Sequence, residues 1–247
     1  MAEEKGVWRT IRGTHVFIRD GESAEDALNR TIAKQNEDKK QEQISKHKEV
    51  ADKLNGKSVD SQKVKNIVHK SEDIIRADEM ESVYVFDTDG NQKLVKTSGL
   101  PDRVDLSPED VKLLQDSIFT HNHPNDSIFS RADIDTAFEG GVKEFRACFY
   151  GVGAFLGSTK RLVSGAYVLT RNFEIGDEIP SYYSRFGYNY VLAKKQYIQE
   201  VTDPIYEKNP DSVETIKLCN KMVNDFQRKW LRENAKKYGW TYTEEFE

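Results

Sequence analysis

The spacing of apolar positions changes several times along the chain, and each change marks an element. Val7-Trp8-Arg9-Thr10-Ile11 and Thr14-His15-Val16-Phe17-Ile18 are β-prone runs around Arg12-Gly13, which predicts a hairpin. Two strands alone are marginal, so the hairpin should lie on something. From Glu22 to Asn55 there is neither proline nor glycine. Ala24, Ala27, Leu28 and Ile32 keep helical spacing, but Lys34 to Gln43 has no apolar face, so the stretch reads as a long, exposed helical arm. Val64, Ile67, Val68, Ile74 and Ile75 then predict an amphipathic helix packed on the central domain.

The centre of the chain alternates between strands and short helices. Glu81 to Asp87 is β-prone, Asp87-Thr88-Asp89-Gly90 is a turn signal, and Gln92 to Thr97 returns. Ser107-Pro108-Glu109-Asp110 starts a helix that should run through Gln115. Asp116 to Thr120 reads as a short buried strand. Ser130 is placed as an N-cap, with Asp133 at the third helical position and Ile134, Ala137 and Phe138 as the apolar face, until Gly140-Gly141 stops the helix. Glu144 to Tyr150 and Ala154 to Leu156 are β-prone with glycines between them, suggesting a hairpin, and Ala166 to Leu169 adds a further strand. From Ser181 the pattern is helical, first as an aromatic stripe (Tyr182, Tyr183, Phe186, Tyr190, Tyr197), then as Val213, Ile216, Met222, Val223, Phe226, Trp230 and Leu231, up to Gly239. This order predicts an α/β chain with a mixed sheet flanked by helices. It divides into a hairpin and charged arm (1–57), a central domain (58–175) and a C-terminal helical extension (176–247).

Composition narrows the function. The charged fraction is 32% against 37% hydrophobic, which fits solvated helices around a compact centre. A net charge of -5 offers no overall basic field for nucleic acid. Cys148 and Cys219 lie far apart, so neither a disulfide framework nor a sulfur-ligated zinc site is expected. No apolar run approaches membrane-spanning length and no signal peptide is visible, so a cytoplasmic protein is expected, in a bacterial host cell or associated with a phage.

The chemistry concentrates in Phe119-Thr120-His121-Asn122-His123-Pro124, followed by Ser130-Arg131-Ala132-Asp133. Side chains alternate along a strand, so His121 and His123 point the same way. Asp133 faces them from the first turn of the next helix. Two nitrogens and one oxygen converging on a point are the ligand set of a catalytic zinc. Asp126 and Asp135 are the fallback carboxylates, although Asp135 should face away from Asp133 on a helix. A zinc deaminase would need Pro-Cys-x-x-Cys and His-x-Glu, and neither is present. The letters His-Asn-His match HNH nucleases in spelling only.

His-x-His-Pro, a short polar loop and Ser-x-x-Asp together resemble the JAMM motif of the JAB/MPN-type metalloproteins, in particular their RadC-like and phage-encoded branches. The resemblance covers about residues 75–170. It implies a cytidine-deaminase-like JAB/MPN fold and a Zn²⁺-dependent peptidase or isopeptidase acting on a protein or peptide. It also implies a catalytic glutamate on an upstream strand. Glu81 fits that place, and Glu79, of the same strand parity, is the alternate. In these roles His121, His123 and Asp133 hold zinc, Glu81 shuttles the proton, and Ser130 donates to the oxyanion. Residues 1–20 resemble short pieces of phage head-morphogenesis proteins, which brings in phage structural proteins as partners. The other reading is therefore a non-enzymatic phage structural factor, or a RadC-like DNA-associated protein, that retains the fold.

Overall fold

The computed structural model describes residues 5–35, 37–38, 61–124, 127–156, 159–174 and 180–246, with the backbone alone for 61, 150–156 and 159–163. Strands β1 (Gly6–Ile11) and β2 (Thr14–Arg19) form the expected hairpin. Arg12 and Gly13 both have positive φ (48° and 81°), the tight-turn geometry that matches strand twist. Helix α1 (24–35) covers the hairpin, and Val16, Ala27 and Leu28 make a small core of their own. Most of the anticipated arm beyond it, residues 39–57, lies outside the described residues.

The central element is a six-stranded sheet in the order β4-β3-β5-β6-β7-β8. Its strands are β3 (Ser82–Phe86), β4 (Gln92–Thr97), β5 (Ile118–Asn122), β6 (Glu144–Leu156), β7 (Thr159–Arg171) and β8 (Trp240–Phe246). Only β5 and β6 run parallel. A parallel pair needs a crossover, and helix α4 (Arg131–Glu139) makes it. The fold is thus mixed α/β with helices on both faces.

Strand alternation divides the core in two. On one face, Val64, Ile67, Val68 and Ile75 of α2 (Ser61–Ile75) pack on Tyr84, Phe86, Cys148, Ala166 and Val168. On the other, Val83, Val85, Phe119, Phe145, Ala147, Tyr167, Leu169, Trp240 and Tyr242 meet α4, α5 (Phe186–Tyr197) and, after the short α6 (Asp203–Tyr206), α7 (Val213–Asn234). Each fully buried aliphatic or aromatic side chain of this kind contributes about 1.5–3 kcal/mol. The α2 face also holds a buried ion network. Arg146 pairs with Glu72 at 2.6 Å, and the Thr120 hydroxyl donates to Glu72 at 2.9 Å. None of the described helices is long and apolar enough to cross a membrane.

Five sequence expectations change. The helix starting at Pro108 stops at Val111 (α3), short of Gln115, and the strand after it starts at Ile118 rather than Asp116. Asp116 has positive φ (53°) and pairs with Arg171, so it belongs to the turn. The glycines after Tyr150 do not turn the chain. They lie inside the single long strand β6, where the register shifts between Tyr150 and Val152, and the extra residue forms a bulge. The anticipated short strand at Ala166–Leu169 is the middle of β7, a strand as long as β6. Finally, the C-terminal segment is not wholly helical. Gly239, in the left-handed region at φ 79°, ends the last helical turn and releases β8 onto the sheet edge.

Candidate metal centre

Strand register brings the candidate residues together. Val83 of β3 pairs with His121 of β5, and in an antiparallel pair facing residues share a side of the sheet. Continuing that register by two residues sets Glu81 opposite His123. Glu81, Val83, His121 and His123 therefore project from the same face, at the end of β5. The His121 ring lies among aromatic neighbours, with centroids 5.6 Å from Phe119 and 5.1 Å from Phe145. The peptide N–H of His123 continues the parallel pairing by donating to the Cys148 carbonyl at 3.2 Å.

Asp133 is set by the cap of α4. Its N–H donates to Ser130 Oγ at 3.1 Å, and its Oδ2 accepts the Ser130 N–H at 2.6 Å, a reciprocal capping box. With that rotamer held, Oδ1 lies 3.4 Å from His121 Nε2 and Oδ2 lies 3.3 Å from His123 Nε2. The two Nε2 atoms are 2.9 Å apart. A tetrahedral ion with bonds of about 2.0–2.1 Å spaces its ligands about 3.3 Å from one another. Each imidazole Nε2 faces its own Asp133 oxygen, and the two nitrogens face each other, at spacings near that edge length, so this triangle of side chains fits a small divalent cation.

Hydrogen bonding fixes how the rings present themselves. His123 Nδ1–H donates to the Ser127 carbonyl at 2.7 Å, which turns Nε2 toward Asp133 and His121. His121 Nδ1 is buried with no hydrogen-bond partner among the described residues, so packing rather than a hydrogen bond orients that ring. Without a metal, burial disfavours a charged His123, but the hydrogen bond and charge of Asp133, the charge of Glu81 and the Ser127 carbonyl outweigh it. Its pKa rises to about 9. Burial also opposes the Asp133 carboxylate, yet the two histidines hold it well below the usual carboxylate range. The metal-free centre is an imidazolium–carboxylate pair, and a bound cation would take the place of that proton.

Glu81 sits at the mouth of this triangle. One ligand atom from each of Glu81, His121, His123 and Asp133 lies within 4.8 Å of every other. Burial pushes the Glu81 carboxyl above its ordinary range, against the pull of His121 and His123. Glu79 is exposed and stands outside this group. Asp135 turns away and pairs with Arg131 at 2.9 Å, as helical spacing requires; Asp126 lies outside the described residues. His15 stacks on Trp8 in the hairpin, and His69 approaches Glu245 at 3.3 Å, so neither joins the centre.

Asn122 is a contributor that sequence reasoning missed. It points to the opposite face and is fully buried. Its Oδ1 accepts the Ser82 N–H at 2.8 Å, and its Nδ2 donates to the carbonyls of Met80 at 3.1 Å and Asp78 at 3.2 Å. These bonds grip the backbone on both sides of Glu81. The residue between the histidines thus fastens the glutamate-bearing segment to the histidine strand. The Glu81 N–H completes the grip by donating to the Leu100 carbonyl at 2.8 Å.

The centre opens into a cleft of about 300 Å³ between the Pro101–Leu106 segment and the start of α4. Val83, Phe119 and Phe145 line its floor, with Asp102, Arg103 and Ser130 at its sides. Ser130 is exposed there, and its hydroxyl proton is free to donate while Oγ accepts the cap bond. No family model, curated protein or solved structure matches this chain.

Proposed function

We propose that the chain is a metal-dependent hydrolase of the JAMM kind, with His121, His123 and Asp133 holding one zinc ion and Glu81 moving the proton. The observation that carries this reading is the triangle of two imidazole nitrogens and a carboxylate at tetrahedral spacing, with a fourth, burial-shifted carboxyl beside it. Two neutral imidazoles and one carboxylate suit zinc better than the all-oxygen cations magnesium and calcium. Bound there, the ion would supply Lewis-acid polarisation and lower the pKa of a water to ~7.

The chain's own groups supply the rest. Glu81 accepts a proton from the attacking water and returns it to the leaving amine as the C–N bond breaks. Its raised pKa suits both halves of that task, since a carboxyl far below the working pH would be a weak acid catalyst. Ser130 donates a hydrogen bond to the carbonyl oxygen as negative charge gathers on it. An amide or isopeptide bond is the substrate class this acid–base pairing serves, because its amine leaving group must be protonated.

Glu81→Gln tests the assignment. The variant should keep its metal and its stability, while hydrolysis falls ~10²–10⁴-fold. Linear peptides, ubiquitin-like conjugates and proteins encoded beside this gene are the substrates to offer. Full activity of Glu81→Gln on a verified substrate would overturn the proton-shuttle role.

A further inference from the structure

A second cavity adjoins the metal cleft. It measures about 400 Å³ and lies between the start of α4 and the outer side of α5. Ser130 lines both cavities. The wall between them is firmly held: the Tyr190 hydroxyl donates to the Phe129 carbonyl at 2.9 Å, and the capping box fixes Ser130 itself. A molecule bound across Ser130 therefore has one part over the metal centre and the next part in this second cavity.

The walls say what that part must be. Val191 and Ile198, both partly exposed, give an apolar surface suited to an apolar side chain. Lys194 and Lys195 stand in the same lining, and no acidic residue does. Some lysines elsewhere have carboxylate partners, such as Lys96 with Asp110, whose Nζ–Oδ2 distance is 2.5 Å. Lys194 has no carboxylate partner among the described residues. It is half-buried, and burial alone lowers its pKa, with no acid acting against it. A partly buried cation without a counter-charge costs stability, and an incoming anion would remove that cost. Arg131 is different, because Asp135 already neutralises it.

We infer that this cavity is a subsite for an acidic peptide segment, in which an apolar side chain packs on Val191 and Ile198 and a neighbouring carboxylate meets Lys194. The substrate role of the subsite rests on the hydrolase reading, but the binding itself does not. A peptide fits better than a nucleic acid, because the one aromatic ring of α5 in the lining, Tyr190, is buried and offers no exposed face for a base to stack on.

The test is a titration followed by amide NMR on the full chain, in two forms: zinc-loaded wild type and His123→Ala, which should hold no zinc. The probes are acetyl-Leu-Asp-Leu-Glu-Leu-amide, its neutral counterpart with Asn and Gln, and an octathymidylate. The acidic peptide should shift the amides of Phe129 to Arg131 and of Val191 to Ile198 in both forms. Lys194→Met, which keeps the aliphatic body, should weaken its binding about fivefold, the upper end for a partly exposed ion pair. Lys194→Glu should weaken it further. Equal binding of the neutral peptide, indifference to both lysine variants, shifts elsewhere, no binding, or tighter binding of the oligonucleotide would each overturn the inference. Peptide binding to both forms, with no cleavage by the zinc-loaded wild type of any substrate that carries this sequence, would leave the subsite standing and count against the hydrolase.

Discussion

Asn122→Ala is the substitution that most sharply separates a grip on Glu81 from ordinary packing. It deletes three hydrogen bonds of 2.8, 3.1 and 3.2 Å and leaves the Ser82 N–H buried without its acceptor. A net contribution of ~1 kcal/mol per bond gives ~3 kcal/mol of lost stability, with the stranded donor pushing the value upward. Urea unfolding in excess chelator measures it free of any metal linkage. The midpoint should fall with an unchanged m-value. Asn122→Asp is the matching control. It keeps an acceptor for Ser82 but turns a carboxylate toward two carbonyls, so at neutral pH it should destabilise at least as much as alanine. The proposed zinc ligands are untouched in both variants, so metal stoichiometry should hold while the proposed Glu81-dependent hydrolysis drops. A loss under ~1 kcal/mol for Asn122→Ala would refute the grip.

Other predictions concern the opposite face and the sheet edge. Arg146→Met should cost ~3–5 kcal/mol, because it leaves the fully buried Glu72 with only the Thr120 hydroxyl and the more distant Arg76 at 3.9 Å; adding Glu72→Met should recover part of that loss, as a double-mutant cycle would reveal. Glu244 and Glu245 on β8 are depressed below the ordinary glutamate range. Burial opposes their charge, but Arg228 and Arg232 outweigh it for the first and Arg146 for the second. Their contribution to stability is therefore complete above pH ~4.5 and is lost as pH falls through the lower folded values. Glu244→Gln should flatten the acid limb of stability against pH, and an unchanged limb would show that these pairs carry no such linkage.

Much of the centre is legible because local rules govern it. Strand parity aligns His121 with His123, and a capping box needs only Ser130 and Asp133 at their spacing. The hairpin turn likewise follows from Arg12-Gly13. Other features depend on pairing between distant segments. Glu79 and Glu81 share strand parity, and only the Val83–His121 register sets Glu81 at the level of His123. Asn122 reads as a spacer until the β3–β5 pairing brings Ser82 and Met80 to it. Gly151 and Gly153 look like turn residues because a bulge and a turn use the same conformational freedom. The β8 strand was visible in principle, since Trp240 and Tyr242 alternate with Thr241 and Thr243. The long amphipathic pattern of α7 before it obscured that change of period.

If His121, His123 and Asp133 form one metal site, elemental analysis of the purified full chain will reveal it. Zinc-loaded, dialysed wild type should carry about one zinc per chain, and His121→Ala, His123→Ala and Asp133→Ala should each carry essentially none while remaining folded. A wild type that stays free of zinc after loading, or a His123→Ala variant that retains a full equivalent, would contradict it.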